Sequence, residues 1–353
     1  MKQMNNWIKA IAIIAFLALP FNQISAQTQR AGQSGAAQLL INPWARSSGW
    51  AGSNVAGIRG IEGVYSNVAG LAFTEKTEIV FSSTSWLQIN GFNDAVSQIS
   101  TFGLSQKMGE SGALGLSIMS MSFGDIEVTT VDFPDGGLGV YTPTLMNIGL
   151  SYAQIFSNSI YGGVTVRLIT ERIANMSANG VSLDAGIQYV TGEKDNFKFG
   201  IALKNVGPRM AFSGDGLSFR GIVGDDDGYK MTVEQRSSEF ELPALLNIGM
   251  SYDLNISRHR LTGAFTFTSN AFQNDQLRIG GEYSYRDMFM VRGGFTHEEG
   301  LSDDLKRTTA LRGPSAGFTL ELPMGETSFG LDYSYRHTDP FQGSHSIGAR
   351  ISL

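Results

Sequence analysis

The chain of 353 residues carries 26 Lys+Arg against 32 Asp+Glu, a net charge of −6, which excludes a nucleic-acid binder driven by bulk positive charge. It has no Cys, which excludes a disulfide scaffold, a thiolate metal site and a cysteine nucleophile, and its four His (259, 297, 337 and 345) are too scattered for a His-rich metal centre. Charged residues make up 16% where soluble domains average about 25%, while Gly reaches 43 residues, well above its usual ~7% share.

The chain opens with Lys2 and Lys9, an apolar run from Ala10 to Leu19, then Pro20 and the small pair Ser25-Ala26 before Gln27. This is the layout of a secretory signal peptide over 1–26, with an apolar stretch too short to span a bilayer. No Cys follows the cleavage point, so lipoprotein anchoring is excluded. The remainder has no apolar run of about 18 residues, hence no helical span. A mean hydropathy of −0.05 leaves the membrane question open, because barrel strands alternate apolar and polar residues and average near zero.

Residues 45–71, before the first strand, are rich in small side chains, lack a period of two and cannot form a set of strands. Beyond them one pattern recurs. In Met146-Asn-Ile-Gly-Leu-Ser-Tyr152, apolar and aromatic residues alternate with small or polar ones, as in a strand with two different faces. The alternation returns at 160–168, 181–189, 197–203, 246–254, 261–267, 277–285, 289–295, 316–322, 329–335 and 347–353. Less regular candidates at 78–87, 95–107 and 112–123 bring the count to fourteen, and an even count returns both ends of a closed barrel to one side.

Arg167, Asp184, Lys198, Asp253, Arg278, Glu282, Arg292, Glu321, Asp332 and Arg350 all take the parity opposite the apolar set. Parity alone does not separate a membrane barrel from a soluble sandwich, in which the apolar face would be the core. Short connections (156–159, 191–196, 286–287, 323–326) alternate with longer ones, the longest from 207 to 241, as in outer-membrane barrels. Tyr152, Tyr189, Phe197, Tyr252, Tyr283, Tyr285 and Phe289 fall near the short-turn rim, and Phe265, Phe267, Tyr333 and Tyr335 near the other, giving two aromatic girdles. The fold expected is therefore all-β: a 14-stranded antiparallel transmembrane barrel over 77–353, in the outer membrane of a Gram-negative bacterium. Residues 27–76 are then placed in its lumen as a plug.

Two segments match at seven of ten positions, 143–152 and 243–252, through duplication or through convergence on one strand environment. In the third strand the apolar residues change phase, from Leu114, Leu116 and Ile118 to Met119, Met121 and Phe123. A β-bulge near Ile118 and Met119 would produce that flip and open the wall, making Ile118, Met119 and Met121 a candidate lateral opening; a packing adjustment would also produce it.

The segment Ala45-Arg-Ser-Ser-Gly-Trp-Ala-Gly52, with Val64-Tyr-Ser-Asn-Val-Ala-Gly-Leu71 and fourteen strands after it, resembles the FadL superfamily of outer-membrane barrels and, within it, the PorV/PorQ-like proteins of Bacteroidota. That family usually reads Asn-Pro-Ala-Gly-Leu at its hatch. Here Asn67, Ala69, Gly70 and Leu71 match, and Val68 replaces Pro.

No nucleophile with a base, carboxylate pair or metal set stands out, so no enzyme activity and no cofactor is expected. Asp225, Asp226 and Asp227 could ligate Ca²⁺ but lack EF-hand spacing, and a solvated acidic loop is the better reading. The resemblance implies two functions, the first the expected one and the second its alternative. One is a component of the type IX protein secretion system that docks a large translocon or secreted surface proteins through its outer loops, with Phe212, Leu217, Phe219, Ile222 and Val223 as candidate contacts unless that loop folds over its own barrel mouth. The other is a FadL-like channel for hydrophobic small molecules. In the channel reading Asn67, Val68, Ala69, Gly70 and Leu71 form the movable hatch, and the interior is apolar. Membrane lipid is the expected surround in both, and nucleic acid in neither.

Overall fold

The computed structural model describes residues 30, 32–88, 97–223, 229–303 and 307–353. The signal peptide expected at 1–26 and the triad Asp225, Asp226 and Asp227 lie outside the described residues.

Eighteen strands run in chain order: β1 (Thr77–Trp86), β2 (Ser97–Met108), β3 (Gly112–Ser122), β4 (Ile126–Glu127), β5 (Val140–Tyr141), β6 (Thr144–Ile155), β7 (Ile160–Ile173), β8 (Met176–Thr191), β9 (Phe197–Val206), β10 (Ser218–Val223), β11 (Tyr229–Glu234), β12 (Leu245–Ile256), β13 (His259–Asn270), β14 (Gln276–Tyr285), β15 (Phe289–Glu298), β16 (Leu311–Met324), β17 (Thr327–Thr338) and β18 (Ser344–Ser352). Among the described residues, fourteen of them close one antiparallel barrel, with β18 pairing back onto β1, as the sequence predicts. The other four form two hairpins, β4-β5 and β10-β11, in the longer connections.

The direction of each parity settles what alternation alone left open. On β7, Val164, Val166 and Leu168 are about half exposed while Thr165 and Arg167 are buried. Lys198, Asp253, Glu282, Arg292, Asp332 and Arg350 are likewise buried. The apolar set faces outward and the charged set inward, the reverse of a soluble sandwich and the arrangement of a barrel whose outer surface meets hydrocarbon.

The inward face is occupied by the segment before β1. It begins at the long-loop end, where Ser34 bridges Glu241 and Arg30 pairs with that carboxylate at 2.8 Å. It then packs Ala45–Ser48 against β16, β17 and β18, and Val68–Phe73 against β6, β7 and β8, before joining β1 at the short-turn end. Part of the high glycine content has its cause here. A Cβ on Gly294 would lie 2.4 Å from the Trp50 carbonyl oxygen, and one on Gly200 would lie 2.9 Å from the backbone of Val55 and Ala56. Glycine on the inward parity gives the segment its room.

The third strand corrects an expectation. β3 pairs with β2 and β6 in unbroken register from Gly112 to Ser122, with no bulge at Ile118 and Met119. Leu114, Leu116 and Ile118 face outward, whereas Met119 and Met121 face inward and are buried. The phase change in the sequence is therefore a change in the chemistry of the inward face, with the strand itself regular. Register shifts lie elsewhere, one between Leu311 and Ser315 of β16 against β17 and one between β8 and β9: Leu183 pairs with Val206 and Ala185 with Leu203, which leaves an extra residue on β9 opposite Asp184. Asn205 takes a φ of 61° there, and its backbone N–H is taken up by Asp184 Oδ1 at 2.7 Å.

Candidate functional site

The short turn Val68–Phe73 is capped by Asn67, whose Oδ1 accepts from the Ala69 N–H at 3.1 Å. The same side chain donates from Nδ2 to the Val55 carbonyl at 3.2 Å and to the Ile187 carbonyl of β8 at 3.0 Å. One amide thus ties the turn to the wall. Gly70 is fixed by approach: a Cβ there would lie 2.5 Å from the Ile58 carbonyl oxygen. Val68, Ala69 and Leu71 are buried.

The turn rests on a row of small inward residues. Ala113 pairs with Ala153, Ala153 with Gly163, Gly163 with Gly186, and Gly186 with Ala202. On the outer side of the same strands an apolar groove of about 460 Å³ runs over Gly162 and Ala185, walled by Tyr152, Phe156, Ile187 and Leu203. Between groove and turn the wall is a single backbone layer.

The rest of the interior divides in two. Toward the long-loop end of β1, β2, β3 and β6 it is apolar: Trp86, Ile99, Met119 and Met121 are buried, in one cluster with Trp44, Ile61 and Leu71, and Phe123, Leu145 and Leu311 pack against it, while Ser82, Thr101, Ser105, Ser117 and Ser151 continue the same inward faces. Across β9 and β12 to β18 it is a belt of paired charges. Lys198 bonds Asp253, and Arg260 lies 3.3 Å from Glu282. Glu282 accepts from Arg292 at 2.8 Å, Arg292 donates on to Thr319 at 2.7 Å, and Thr319 bonds Asp332. Arg350 bonds Glu321 and reaches Glu62 of the lumen segment at 3.5 Å. Burial pushes the Glu62 carboxyl up, and the Asp332 charge adds to this against the pull of Arg46, Arg350 and the Ser47 hydroxyl. A polar vestibule of about 750 Å³ opens from this belt to the short-turn end.

The long connection between β9 and β12 splits the residues proposed to meet a partner. Phe212 stacks at a tilt on Phe240, centroids 5.9 Å apart, against a core of Leu39, Ile169, Met210 and Leu242 that closes the long-loop end, so Phe212 is withdrawn from the surface. Leu217 is half-buried, and Phe219 and Ile222 are exposed on β10, which Val223 ends opposite Tyr229. Glu241 anchors this seal: hydrogen bonds from Arg209 and Arg30 hold its carboxyl below the usual range. The small-residue row and the β9 bulge escape sequence reading. Their one signal is Lys204 followed by Asn205, adjacent polar residues that break the alternation of 197–203.

Fold and interior together define a closed fourteen-stranded antiparallel barrel whose lumen holds the segment before β1. Solved structures share that fold at low sequence identity. A CymD monoaromatic hydrocarbon channel is 13% identical with a TM-score of 0.57, covering 88% of this chain and 97% of that one. The toluene transporter TodX of P. putida is 11% identical with a TM-score of 0.56, and TbuX of Ralstonia pickettii, also a toluene transporter, 14% with 0.52, each covering 88% of this chain and 97% of its own. No protein-family profile matches the sequence, and no curated protein does.

Proposed function

We propose that the protein is an outer-membrane channel, without catalytic activity, that admits hydrophobic small molecules, its short turns in the periplasm and its long loops outside. The observation that carries this is the long-loop end of the inward face of β1, β2 and β3, where Trp86, Ile99, Met119 and Met121 replace the polar residues found on most of the inner wall. A barrel that served only as an anchor has no need of an apolar flank beside a belt of ion pairs. An apolar molecule binds such a flank by giving up hydration, without stripping water from charges. The segment 34–74 is the plug and the turn after Asn67 its hatch, held by one side-chain amide and a seat of small residues. The charged vestibule is a poor path for an apolar molecule, whereas the thin wall behind the hatch backs onto the apolar groove and suits lateral release. The hydrocarbon channels of the same fold support the reading.

The test is uptake of a neutral hydrophobic probe such as toluene into proteoliposomes. Wild-type protein is expected to accelerate uptake, and Met121→Asp, which puts an unpaired charge on the apolar flank, to abolish the acceleration. Equal uptake with and without protein would sink the proposal.

Docking of a secretion translocon or secreted cargo, as the PorV/PorQ resemblance implies, is the second reading. It draws on the exposed apolar side chains of the outer hairpins, Phe219, Ile222, Tyr229 and Met231 on β10-β11 and Val140 on β5. Pull-down of the tagged protein in mild detergent, with and without residues 215–236, tests it; capture of a large translocon that depends on the loop would favour docking over transport.

A further inference from the structure

Two of the short turns lie side by side at the rim. Ser257 and Arg258 join β12 to β13, and Arg286, Asp287 and Met288 join β14 to β15. The pairing of β13 with β14, whose last rung is His259 with Tyr285, runs one step further, where the Arg286 N–H donates to the Arg258 carbonyl at 2.8 Å. Two arginines are thereby placed across from one another. Both are exposed, and neither side chain has a hydrogen bond or ion pair to any described residue. The carboxylate of the same turn is engaged elsewhere: Asp287 Oδ1 accepts from Arg260 Nε and Nη2 at 3.2 and 3.0 Å and from the Ser284 hydroxyl at 3.0 Å. Asp253 and Glu282 face the lumen, paired with Lys198 and Arg292.

Like charges across a ladder are destabilising. Nor does the turn itself call for an arginine at 286: its φ is 54°, in the left-handed region that Gly or Asn adopts at lower cost. The Arg286 guanidinium lies 5.3 Å from the Tyr285 ring centroid, and the His259 ring contacts both Tyr285 and Tyr283, with Nδ1 2.8 Å from the Tyr283 hydroxyl. These tyrosines belong to the short-turn girdle, the level at which lipid headgroups meet a barrel. Ile256, Leu261 and Phe289 are exposed on the outward face beside them. We propose that Arg258 and Arg286 bind the phosphate of an anionic phospholipid whose acyl chains lie on Ile256 and Leu261. A guanidinium fork matches phosphate oxygens. Two such forks without a counter-charge favour a headgroup of net negative charge over a zwitterionic one, whose own cation competes for the phosphate. Free phosphate gains nothing from the apolar wall. The leaflet, the periplasmic one, rests on the orientation proposed above; the site itself rests neither on that nor on transport.

Native mass spectrometry of the purified full chain, released from micelles holding phosphatidylglycerol or phosphatidylcholine with the same acyl chains, counts the lipids retained and tests the site. Wild type is expected to retain one phosphatidylglycerol at a concentration at which it keeps no phosphatidylcholine. Arg258→Gln and Arg286→Gln are expected to weaken that binding roughly fivefold each, and the double variant at least tenfold. Arg172→Gln, which removes an exposed arginine at the long-loop end of β7, is expected to leave it unchanged. Equal retention of the two lipids, or phosphatidylglycerol binding that the double variant leaves unmoved or that Arg172→Gln weakens as much, overturns the site. Inorganic phosphate that displaces the lipid at equal concentration would overturn the lipid as its ligand. Toluene uptake by the double variant is expected to equal that of wild type, so the failure of either reading leaves the other standing. Retained heat-modifiable migration on gels shows that each variant is folded.

Discussion

A Cβ on Gly186 would lie 2.1 Å from Oδ1 of Asn67, so the wall and the turn it seats fit together only because position 186 has no side chain. The two residues lie 119 positions apart in the chain. Gly186→Val is expected to unseat the turn, at a cost of about 1–3 kcal/mol in stability from overpacking, and to raise ion conductance in planar bilayers. Asn67→Ala, which removes the cap and the bond to Ile187, is expected to act in the same direction at about 1–2 kcal/mol. Gly263→Ala is the control, since a Cβ there meets nothing within 4 Å. Conductance unchanged in both variants would show that the turn does not gate.

The unbroken register of β3 makes a second prediction. Leu104 on β2 and Leu116 on β3 are directly opposed on the outward face. A disulfide between cysteines at these two positions is expected to leave toluene uptake unaltered, because the wall there has no need to part. Filling the groove over β7 and β8 with Gly162→Trp is expected instead to slow uptake severalfold. Loss of uptake in the cross-linked variant, restored by reductant, would place the lateral route at β3 after all.

How much of this was legible in sequence follows from which interactions are local. Strand alternation is a property of neighbouring residues, so fourteen strands and the opposite parity of their charged and apolar residues could be read from spacing alone, while which face points inward could not. Residues on neighbouring strands come side by side only once the strands pair in register, which hid the Ala113-Ala153-Gly163-Gly186-Ala202 row from any local pattern. Met119 and Met121 misled because a change in what the inner face must touch looks, in one dimension, like a change of phase. Phe212 misled for a related reason: an apolar residue in a loop reads as surface until the core that takes it, here Phe240 and Met210, is in view.

The buried pair Arg167 and Asp184 separates structural from surface electrostatics. Arg167 donates to Asp184 at 2.8 Å and to the Val64 carbonyl at 3.1 Å, and its guanidinium lies 4.3 Å from the Tyr65 ring centroid. Arg167→Met leaves Asp184 buried with only the Asn205 N–H, and a loss of about 3–5 kcal/mol is expected. Arg30→Ala, which breaks an exposed pair with Glu241, is expected to cost far less. Urea unfolding in lipid nanodiscs, followed by tryptophan fluorescence, measures both; equal losses would contradict the assignment of Arg167 to the anchoring of the lumen segment.

Glu62 gives the lumen segment a pH dependence whose sign is fixed by its surroundings. Burial raises its folded-state pKa above the unfolded value, so the folded chain binds the proton more tightly than the unfolded one. The segment is therefore held best below the unfolded pKa of about 4.3, and its hold weakens as pH rises from there through the raised folded value, then levels off. Glu62→Gln keeps an acceptor for Ser47 and removes the titration. Hydrogen exchange of the amides from Ile61 to Phe73 is expected to accelerate with pH in wild type beyond the intrinsic chemical rate, and in the variant to follow that rate alone. Identical pH profiles in the two proteins would place the charge sensitivity of the segment on Arg350 and Glu321 and free Glu62 of that role.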